Sequence, residues 1–472
     1  MGNAPHRPSE ARAEELRASL EADCAAAAAA ISAADVLLVC TGAGFSADSG
    51  LAVYRDIAKV EAYAARKLAY HDICVPRWLG DEPDLFWGFW GRCFNDYRET
   101  APHAGYDVIR KWRDDRFSET DVARRIRQAL LAERADDVDE SPRHERVVEP
   151  YHVLEDDAAG AFFVFTSNVD AHSFDVFAAH EVRECHGNTE LYQCAEPCSR
   201  RLWRAPLGFK FEVDPTTILA PDVDALPPTE ANDGDRAAAN GDADDGSARI
   251  GRTYGAARHA KTLLKHMPAP TDSTAEIAAR HVASLTLLQD PDVRSRSFSR
   301  NHPKCDACGG AARPAILMFG DSQWVDSAAQ DGRYKAWQRA VRAEAREFSE
   351  RALRLAILEV GAGDNVTTVR VESENVFRRA ENVETTVIRV NPELPLNDAD
   401  VDKLAAGGVV VLPVLSRGLA AVHMIDAAVD RIRRGDGATP PPPPPLEPPA
   451  ADEAGPPEAL PADEAVPAAA AG

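Results

Sequence analysis

The chain has 472 residues, a formal net charge of −23 and nine cysteines. This acidity argues against a nucleic-acid binder that relies on bulk electrostatic attraction, and the scattered cysteines do not suggest a disulfide framework but fit a reducing compartment. The acid is concentrated in 214–246, with nine acidic residues against one arginine, and in 435–472, with seven acidic residues and no base. No signal peptide or membrane span is evident, so we expect a cytoplasmic or nuclear protein without direct nucleic-acid or membrane contact.

Apolar runs and helical patterns alternate along most of the chain. A helix is predicted over 9–33, within an N-terminal segment of residues 1–34, and the first buried strand follows at 35–40. Further strands are predicted at 161–170, 181–187, 315–321, 353–363, 385–393 and 407–414, with helices at about 59–70, 84–97 (with a break), 329–350, 366–380 and 416–433. This alternation predicts an α/β fold, a Rossmann-like parallel sheet with helices on both faces.

Three segments fall outside this alternation. Residues 114–158 are charged and weakly periodic, which is typical of a surface insertion, and 228–302 contains an acidic stretch that also looks inserted. Residues 435–472 are rich in proline, alanine and acidic residues, with six consecutive prolines at 440–445, and are predicted to be a disordered tail. The main folded domain is therefore expected over 35–434.

A glycine-rich stretch, VCTGAGFSADSGLAVYRD, follows the first strand and spans Val39–Asp56. A strand, small residues and a helix start present backbone N–H groups to an anion, which suggests a nucleotide phosphate. The guanidinium of Arg55 could reach such a phosphate. The alternative is a tight turn that merely requires glycine.

Polar residues also end the next two predicted strands. Asn168 and Asp170 lie two residues apart, so their side chains can point to one side and together hold a carboxamide. The alternative is an Asx turn after the strand. His186 is a candidate general base, although a lone histidine is more often structural.

Two cysteine pairs, Cys194 with Cys198 and Cys305 with Cys308, suggest one structural Zn²⁺ bound by four thiolates. The long gap between the pairs becomes ordinary if 228–302 is an insertion. A small zinc-binding module is therefore expected at about 188–227 and 303–314. The alternative is two pairs of unmetallated thiols.

The motifs occur in the order GAG-x-S-x-x-SG with a following Arg, T-x-NVD, HG, two Cys pairs, RP-x-x-x-x-FG and a late VNPE. This order resembles the sirtuins, the NAD-dependent protein lysine deacylases, and is similar to a divergent, microbial-type branch of that family. The resemblance covers about residues 30–430, apart from the two insertions.

The resemblance implies a role for each motif. Ser167 takes the place of a glutamine that contacts the ribose. The implied cofactor-binding residues are Gly42, Ala43, Gly44, Ser46, Tyr54, Arg55, Ser167, Asn168, Asp170, Gly361, Gly363 and Asn391, with His186 as the catalytic base on the ribose hydroxyls. Phe319, Gly320 and Asp321 would form one side of a cleft where a substrate peptide adds as a strand.

The implied activity is NAD-dependent lysine deacylation, in which the acyl group of a protein or peptide lysine passes to ADP-ribose and nicotinamide leaves. The family's usual Pro and Asp are replaced by Ala52 and Val53 in the cofactor loop. This change motivates an alternative, mono-ADP-ribosyl transfer or NAD hydrolysis. A second alternative is a non-catalytic module that binds NAD or acyl-lysine. The preferred acyl chain and the oligomeric state stay open.

Overall fold

The computed structural model describes residues 10–52, 60–136, 153, 157–206, 209–224, 297–349, 351–363, 366–393 and 408–436. The strands of the described residues are β1 Val36–Thr41, β2 Phe162–Thr166, β3 Val182–Glu184, β4 Gly187–Cys194, β5 Trp203–Arg204, β6 Ala312–Ile316, β7 Leu353–Val360, β8 Val383–Val390 and β9 Val409–Val414. Six of them form a parallel sheet in the order β3-β2-β1-β7-β8-β9, and the other three form an antiparallel sheet in the order β5-β4-β6.

The predicted parallel sheet is confirmed. The sequence VLLVCT of β1 and the sequence FFVFT of β2 are buried along their whole length, as strands covered on both faces require. The chain adds β2 and β3 on one side of β1, and adds β7, β8 and β9 on the other. A crevice at the carboxyl ends of β1 and β7 follows from this reversal, and it is where open α/β sheets bind ligands.

Helices lie near most of the predicted positions. The helix predicted over 9–33 is two helices, and the aromatic helix predicted with a break is continuous. The α-helices are Glu10–Ala18, Leu20–Ala33, Ala43–Ser46, Glu61–Ala65, Tyr70–Ile73, Trp78–Asp81, Pro83–Glu99, Ala104–Trp112, Asp121–Asp136, His172–Val176, Ala328–Glu347, Thr368–Asn375 and Gly418–Arg434. No helix in the described part of the chain combines the length and the apolar character needed to cross a membrane.

The prediction that 315–321 is a strand of the main sheet is wrong. The strand in this region is β6, which pairs antiparallel with β4 in the second sheet, and Gly320 lies in a turn with a φ of +68°. The apolar run looks the same in the sequence whichever sheet it joins, because periodicity reports burial and not the pairing partner.

The second sheet packs against an aromatic cluster contributed by the helix Pro83–Glu99. Trp87 stacks on Phe211 at 5.2 Å between ring centroids, and Phe298 meets Tyr192 edge-on at 4.8 Å. Phe298 is 4 % exposed. The end of the predicted insertion 228–302 is therefore placed too late, because residues from 297 onward pack in this cluster.

The described part of 114–158 is not a surface insertion. Phe117 and Ile126 are buried in the main core, and the helix Asp121–Asp136 packs against the helix Ala328–Glu347. The charged residues of the helix Asp121–Asp136 suggested a surface segment because arginines such as Arg125 lie on its exposed side. Arg125 forms an ion pair with Glu344, with 2.6 Å between Nη2 and Oε1. Most of 228–302, and the tail from residue 437, lie outside the described residues.

Candidate functional site

A cavity of about 880 Å³ opens at the carboxyl ends of β1, β2, β7 and β8. It brings together nearly all the site residues predicted from the sequence. They are Gly42, Ala43, Gly44, Ser46, Ser167, Asn168, Asp170, His186, Phe319, Gly320, Asp321, Gly361, Gly363 and Asn391. Tyr54 and Arg55 lie outside the described residues.

The glycines after β1 are needed where two loops cross. The N–H of Gly44 donates to the carbonyl oxygen of Gly361 at 3.0 Å, and the N–H of Gly42 donates to the carbonyl of Val360 at 2.9 Å. A Cβ on Gly42 would lie 2.7 Å from the Gly361 oxygen, and one on Gly361 would lie 2.3 Å from the nitrogen of Phe45. The small residues thus serve the approach of one loop to another, and these two N–H groups are already engaged.

Asn168 offers an unused amide to the cavity. It is 6 % exposed, and its main-chain N–H donates to Thr166 Oγ1 at 3.0 Å. Among the described residues neither its Nδ2 nor its Oδ1 forms a hydrogen bond of regular geometry, although the buried hydroxyl of Tyr106 interacts with this side chain. A buried unpaired polar group costs about 1–3 kcal/mol, so this side chain is suited to a ligand that supplies both a donor and an acceptor.

Asp170, two residues on, is already engaged. One carboxylate oxygen accepts the hydroxyl of Ser46, and the other accepts the N–H of His172 at 2.9 Å. The second contact is the Asx-type turn given as the alternative in the sequence. Ser46 and Asp170 thus join the loops after β1 and β2, and a ligand must share or replace this contact to use either group.

His186 is half-buried in the cavity wall. Its Nε2 lies 3.3 Å from Thr368 Oγ1. Burial lowers the pKa of His186 below its ordinary value, and the positive charge of Arg183 acts in the same direction, while a hydrogen bond with the main chain of Ser167 and the charge of Asp326 oppose them. The imidazole is therefore neutral near pH 7 and able to accept a proton.

The residues expected on the adenosine side shape the wall around β7 and β8. Asn391 Nδ2 donates to the Ala362 carbonyl at 2.7 Å, and Asn391 Oδ1 accepts the N–H of Glu393 at 2.8 Å. Gly361 adopts a φ of +68°, whereas a Cβ on Gly363 would meet nothing within 4 Å. The Asn391 side chain therefore ties the two strand ends together.

The rim of the cavity carries Phe319, which is 38 % exposed. Its N–H donates to the Cys74 carbonyl at 3.0 Å. The carboxylate of Asp321 accepts two hydrogen bonds from Arg313, at 2.6 and 2.9 Å, and both side chains are 1 % exposed. Asp321 thus anchors the rim to β6, and its charge is neutralised inside the protein.

The four predicted metal ligands come together at one place. The sulfurs of Cys194 and Cys308 lie 3.7 Å apart, as do those of Cys198 and Cys305, and all four lie within 4.8 Å of one another. A tetrahedron with Zn–S bonds of about 2.3 Å has edges of about 3.8 Å. The cluster therefore fits a structural Zn²⁺ with no open position.

No protein-family model and no curated protein matches the chain. Several solved structures do match. Sir2 homologues are among them. A Sir2 homologue in complex with NAD is 13 % identical, with 86 % of this chain and 93 % of that chain covered and a TM-score of 0.40. A mutant Sir2 homologue in complex with 2'-O-acetyl-ADP-ribose is 13 % identical, with 86 % of this chain and 94 % of that chain covered and a TM-score of 0.40. A Sir2 protein bound to a propionylated peptide is also 13 % identical, with 86 % of this chain and 95 % of that chain covered and a TM-score of 0.35.

Solved Sir2 structures are thus among those that this chain matches. Sequence reasoning missed many residues that line the cavity, among them the polar residues Tyr97, Thr368 and Arg417. Thr368 carries no motif, yet it follows the loop after β7, where polar residues beyond a strand end were the signal to inspect. Tyr97 was concealed within an aromatic helix.

Proposed function

We propose that this protein is an NAD-dependent protein lysine deacylase, which transfers the acyl group to ADP-ribose and releases nicotinamide. The observation that carries the proposal is the buried amide of Asn168, which forms no hydrogen bond of regular geometry with the described residues and lines the same cavity as His186. A carboxamide ligand satisfies this amide, and a neutral imidazole beside it can act as a base.

NAD would supply an electrophilic ribose carbon, a departing nicotinamide and ribose hydroxyls that receive the acyl group. The chain's own share is binding, orientation and one base. Asn168, with Asp170, would hold the carboxamide. The crossed loops at Gly44 and Gly361 would form the floor beneath the phosphates, and the wall around Asn391 would accept the adenosine half.

His186 would take the proton from a ribose hydroxyl. The nitrogen that faces Thr368 is Nε2, and the lowered pKa leaves it unprotonated at neutral pH. A base contributes roughly 10²–10⁴-fold to a rate when its proton transfer is part of the reaction.

The substrate would be a lysine-acylated protein or peptide that adds along the rim. The N–H groups of Leu317 and Phe319 donate inward, to His186 and Cys74. A peptide strand would therefore meet the alternate residues, Met318 and Gly320.

All nine cysteines are free of disulfides, which supports a cytoplasmic or nuclear location.

The decisive experiment is incubation with NAD and peptides that carry lysine acyl groups of different length, followed by mass spectrometry. We expect deacylated peptide, nicotinamide and O-acyl-ADP-ribose in equal amounts. Nicotinamide release without O-acyl-ADP-ribose would replace this proposal with ADP-ribosyl transfer or NAD hydrolysis. Binding without turnover would indicate a non-catalytic module.

A further inference from the structure

The ring of His186 is contacted from two sides by uncharged groups. Its Nε2 lies 3.3 Å from the hydroxyl of Thr368, and the ring also forms a hydrogen bond with the main chain of Ser167. We infer that Thr368 is a positioning residue, whose hydroxyl fixes the orientation of the His186 ring and supports it in both protonation states. This inference rests on the proposed function, in which His186 is the base.

The main chain around His186 is fixed by hydrogen bonds, so only the orientation of the ring is free to vary. The carbonyl of His186 accepts the N–H of Leu317 at 3.0 Å, and the preceding N–H, of Cys185, donates to Thr166 at 2.8 Å. The next residue, Gly187, has a φ of +69°, and a Cβ there would lie 1.9 Å from the Ala315 oxygen. The backbone is therefore fixed, and the ring depends on its own hydrogen bonds.

Thr368 is placed by a helix that is anchored at several points. Thr368 is the first residue of the helix Thr368–Asn375, and the next residue, Val369, is 1 % exposed. One turn later the Ser373 hydroxyl donates to Glu359, a buried residue of β7. The hydroxyl of Thr368 is therefore held at the cavity wall by the core.

Charged groups near His186 do not fix the ring. Among the described residues, the charged groups that influence His186 are Arg183 of β3 and Asp326, which precedes the helix Ala328–Glu347. They pair with each other, with Arg183 Nη1 2.7 Å from Asp326 Oδ1. A hydroxyl, in contrast, donates to the lone pair of neutral Nε2 in the free protein, turns so that this lone pair can take the ribose proton, and then accepts the new Nε2–H. It can therefore hold the ring before and after the base takes up a proton.

The test compares Thr368→Val, which keeps the shape and removes the hydroxyl, with Thr368→Ser, which keeps the hydroxyl. In the full-length protein, we expect kcat for deacylation to fall about tenfold in the valine variant, with KM changed less than about twofold, and to be restored in the serine variant. A valine variant with kcat within about twofold of the original overturns the inference, as does a serine variant that loses as much activity as valine.

A second measurement does not depend on turnover. The pKa of His186 is followed by ¹H–¹³C NMR of the ring, with its signal assigned by its absence from His186→Ala. Hydrogen bonds to charged groups are the stronger ones, so removal of the hydroxyl should lower this pKa by about half a unit or more in Thr368→Val and leave Thr368→Ser unchanged. If the protein proves inactive, the proposed function fails, but this shift still supports the Thr368 contact. An unchanged pKa in the valine variant overturns it.

Discussion

Two buried asparagines close in sequence differ in what surrounds their amides. Within the described part of the chain, the Asn168 amide forms no hydrogen bond of regular geometry and has only the nearby Tyr106 hydroxyl to interact with. Asn188 donates to Glu184 and accepts the N–H groups of Glu190 and Leu191 at 2.9 and 3.1 Å. Burying an amide without hydrogen bonds costs free energy. We therefore assign Asn168 to ligand binding and Asn188 to stabilisation of the fold.

This contrast gives a paired prediction. Asn168→Ala should change the free energy of unfolding by less than about 1 kcal/mol, since only the weak interaction with Tyr106 is lost, while weakening NAD binding by about tenfold or more. Asn188→Ala should destabilise the fold by roughly 1–3 kcal/mol. Urea unfolding and calorimetric titration with NAD measure both effects. An Asn168→Ala protein that is strongly destabilised, or that binds NAD normally, contradicts the assignment.

The lowered pKa of His186 predicts the acid side of the pH profile. The base must be unprotonated, and its pKa lies below the ordinary value of about 6.5. The pKa that describes the acid side of the profile of kcat/KM for deacylation should therefore lie below about 6.5. His186→Ala should bind NAD but not deacylate. An acid-side pKa above about 7 would assign the base to another group.

At the residue scale, the sequence predicted the site best where a polar residue stands at the end of a predicted strand. The cavity contains Asn168 and His186 because polar residues at the ends of parallel strands meet at one edge of the sheet. The sequence could not show that Asp170 is occupied by Ser46, since that contact joins residues 124 positions apart. The position of Thr368 was equally hidden, because it depends on where a helix begins.

At the scale of elements, the crossing of the loops after β1 and β7 makes a sharp prediction. Gly361→Ala places a Cβ 2.3 Å from the Phe45 nitrogen at a φ of +68°, so we expect a loss of roughly 2–4 kcal/mol in the free energy of unfolding. Gly363→Ala is the matched control and should stay within about 0.5 kcal/mol, because its Cβ meets nothing within 4 Å. Equal effects in the two variants would contradict the crossing.

The cysteine cluster predicts one tightly bound Zn²⁺ per chain. The thiolates come from the end of β4 and from the loop before β6, so removal of the metal should loosen the second sheet and its aromatic cluster. Chelation, or Cys305→Ser, should lower the Tm and change the near-UV circular dichroism. Less than about half an equivalent of zinc after gentle purification would favour unmetallated thiols.

The type of most elements was predictable, but their partners were not. The period and length of β1, β2 and β7 identify buried parallel strands. The run around β6 has the same apolar character, and its antiparallel pairing with β4 depends on residues more than 100 positions away. The charged helix Asp121–Asp136 was wrongly predicted to be part of a surface insertion. Only a narrow side of it is buried, so its charged residues dominate the sequence pattern.

At the scale of the whole molecule, the segment 225–296 begins and ends at positions that are held together. Arg300 donates to Asp222 and Asp224, at 3.0 and 2.8 Å, and the N–H of Asn301 donates to the Val223 carbonyl at 2.8 Å. A loop whose ends already meet can be shortened at little cost in entropy. This segment can therefore be removed if its flanking contacts are kept.

We predict that replacing 229–295 by a short Gly-Ser bridge preserves the fold, the zinc and NAD binding. Replacing 229–300 should instead lower the Tm, because it also removes Arg300 and the buried Phe298. Thermal unfolding and metal analysis of the two deletion proteins provide the comparison. Insolubility of the shorter deletion would place part of 229–295 in the folded core.

The position of β1 between β2 and β7 has a consequence for the protein's synthesis on the ribosome. β1 is made early, yet the neighbour on its far side, β7, is about 310 residues away along the chain. At about 5–20 residues per second, the nascent chain spends roughly 15–60 s with one edge of β1 unpaired. An apolar edge left open for that time is a target for chaperones and for aggregation. The crossed loops close only after Gly361 emerges, so a ribosome-stalled chain that ends before β7 should fail to bind NAD however long it is allowed to fold.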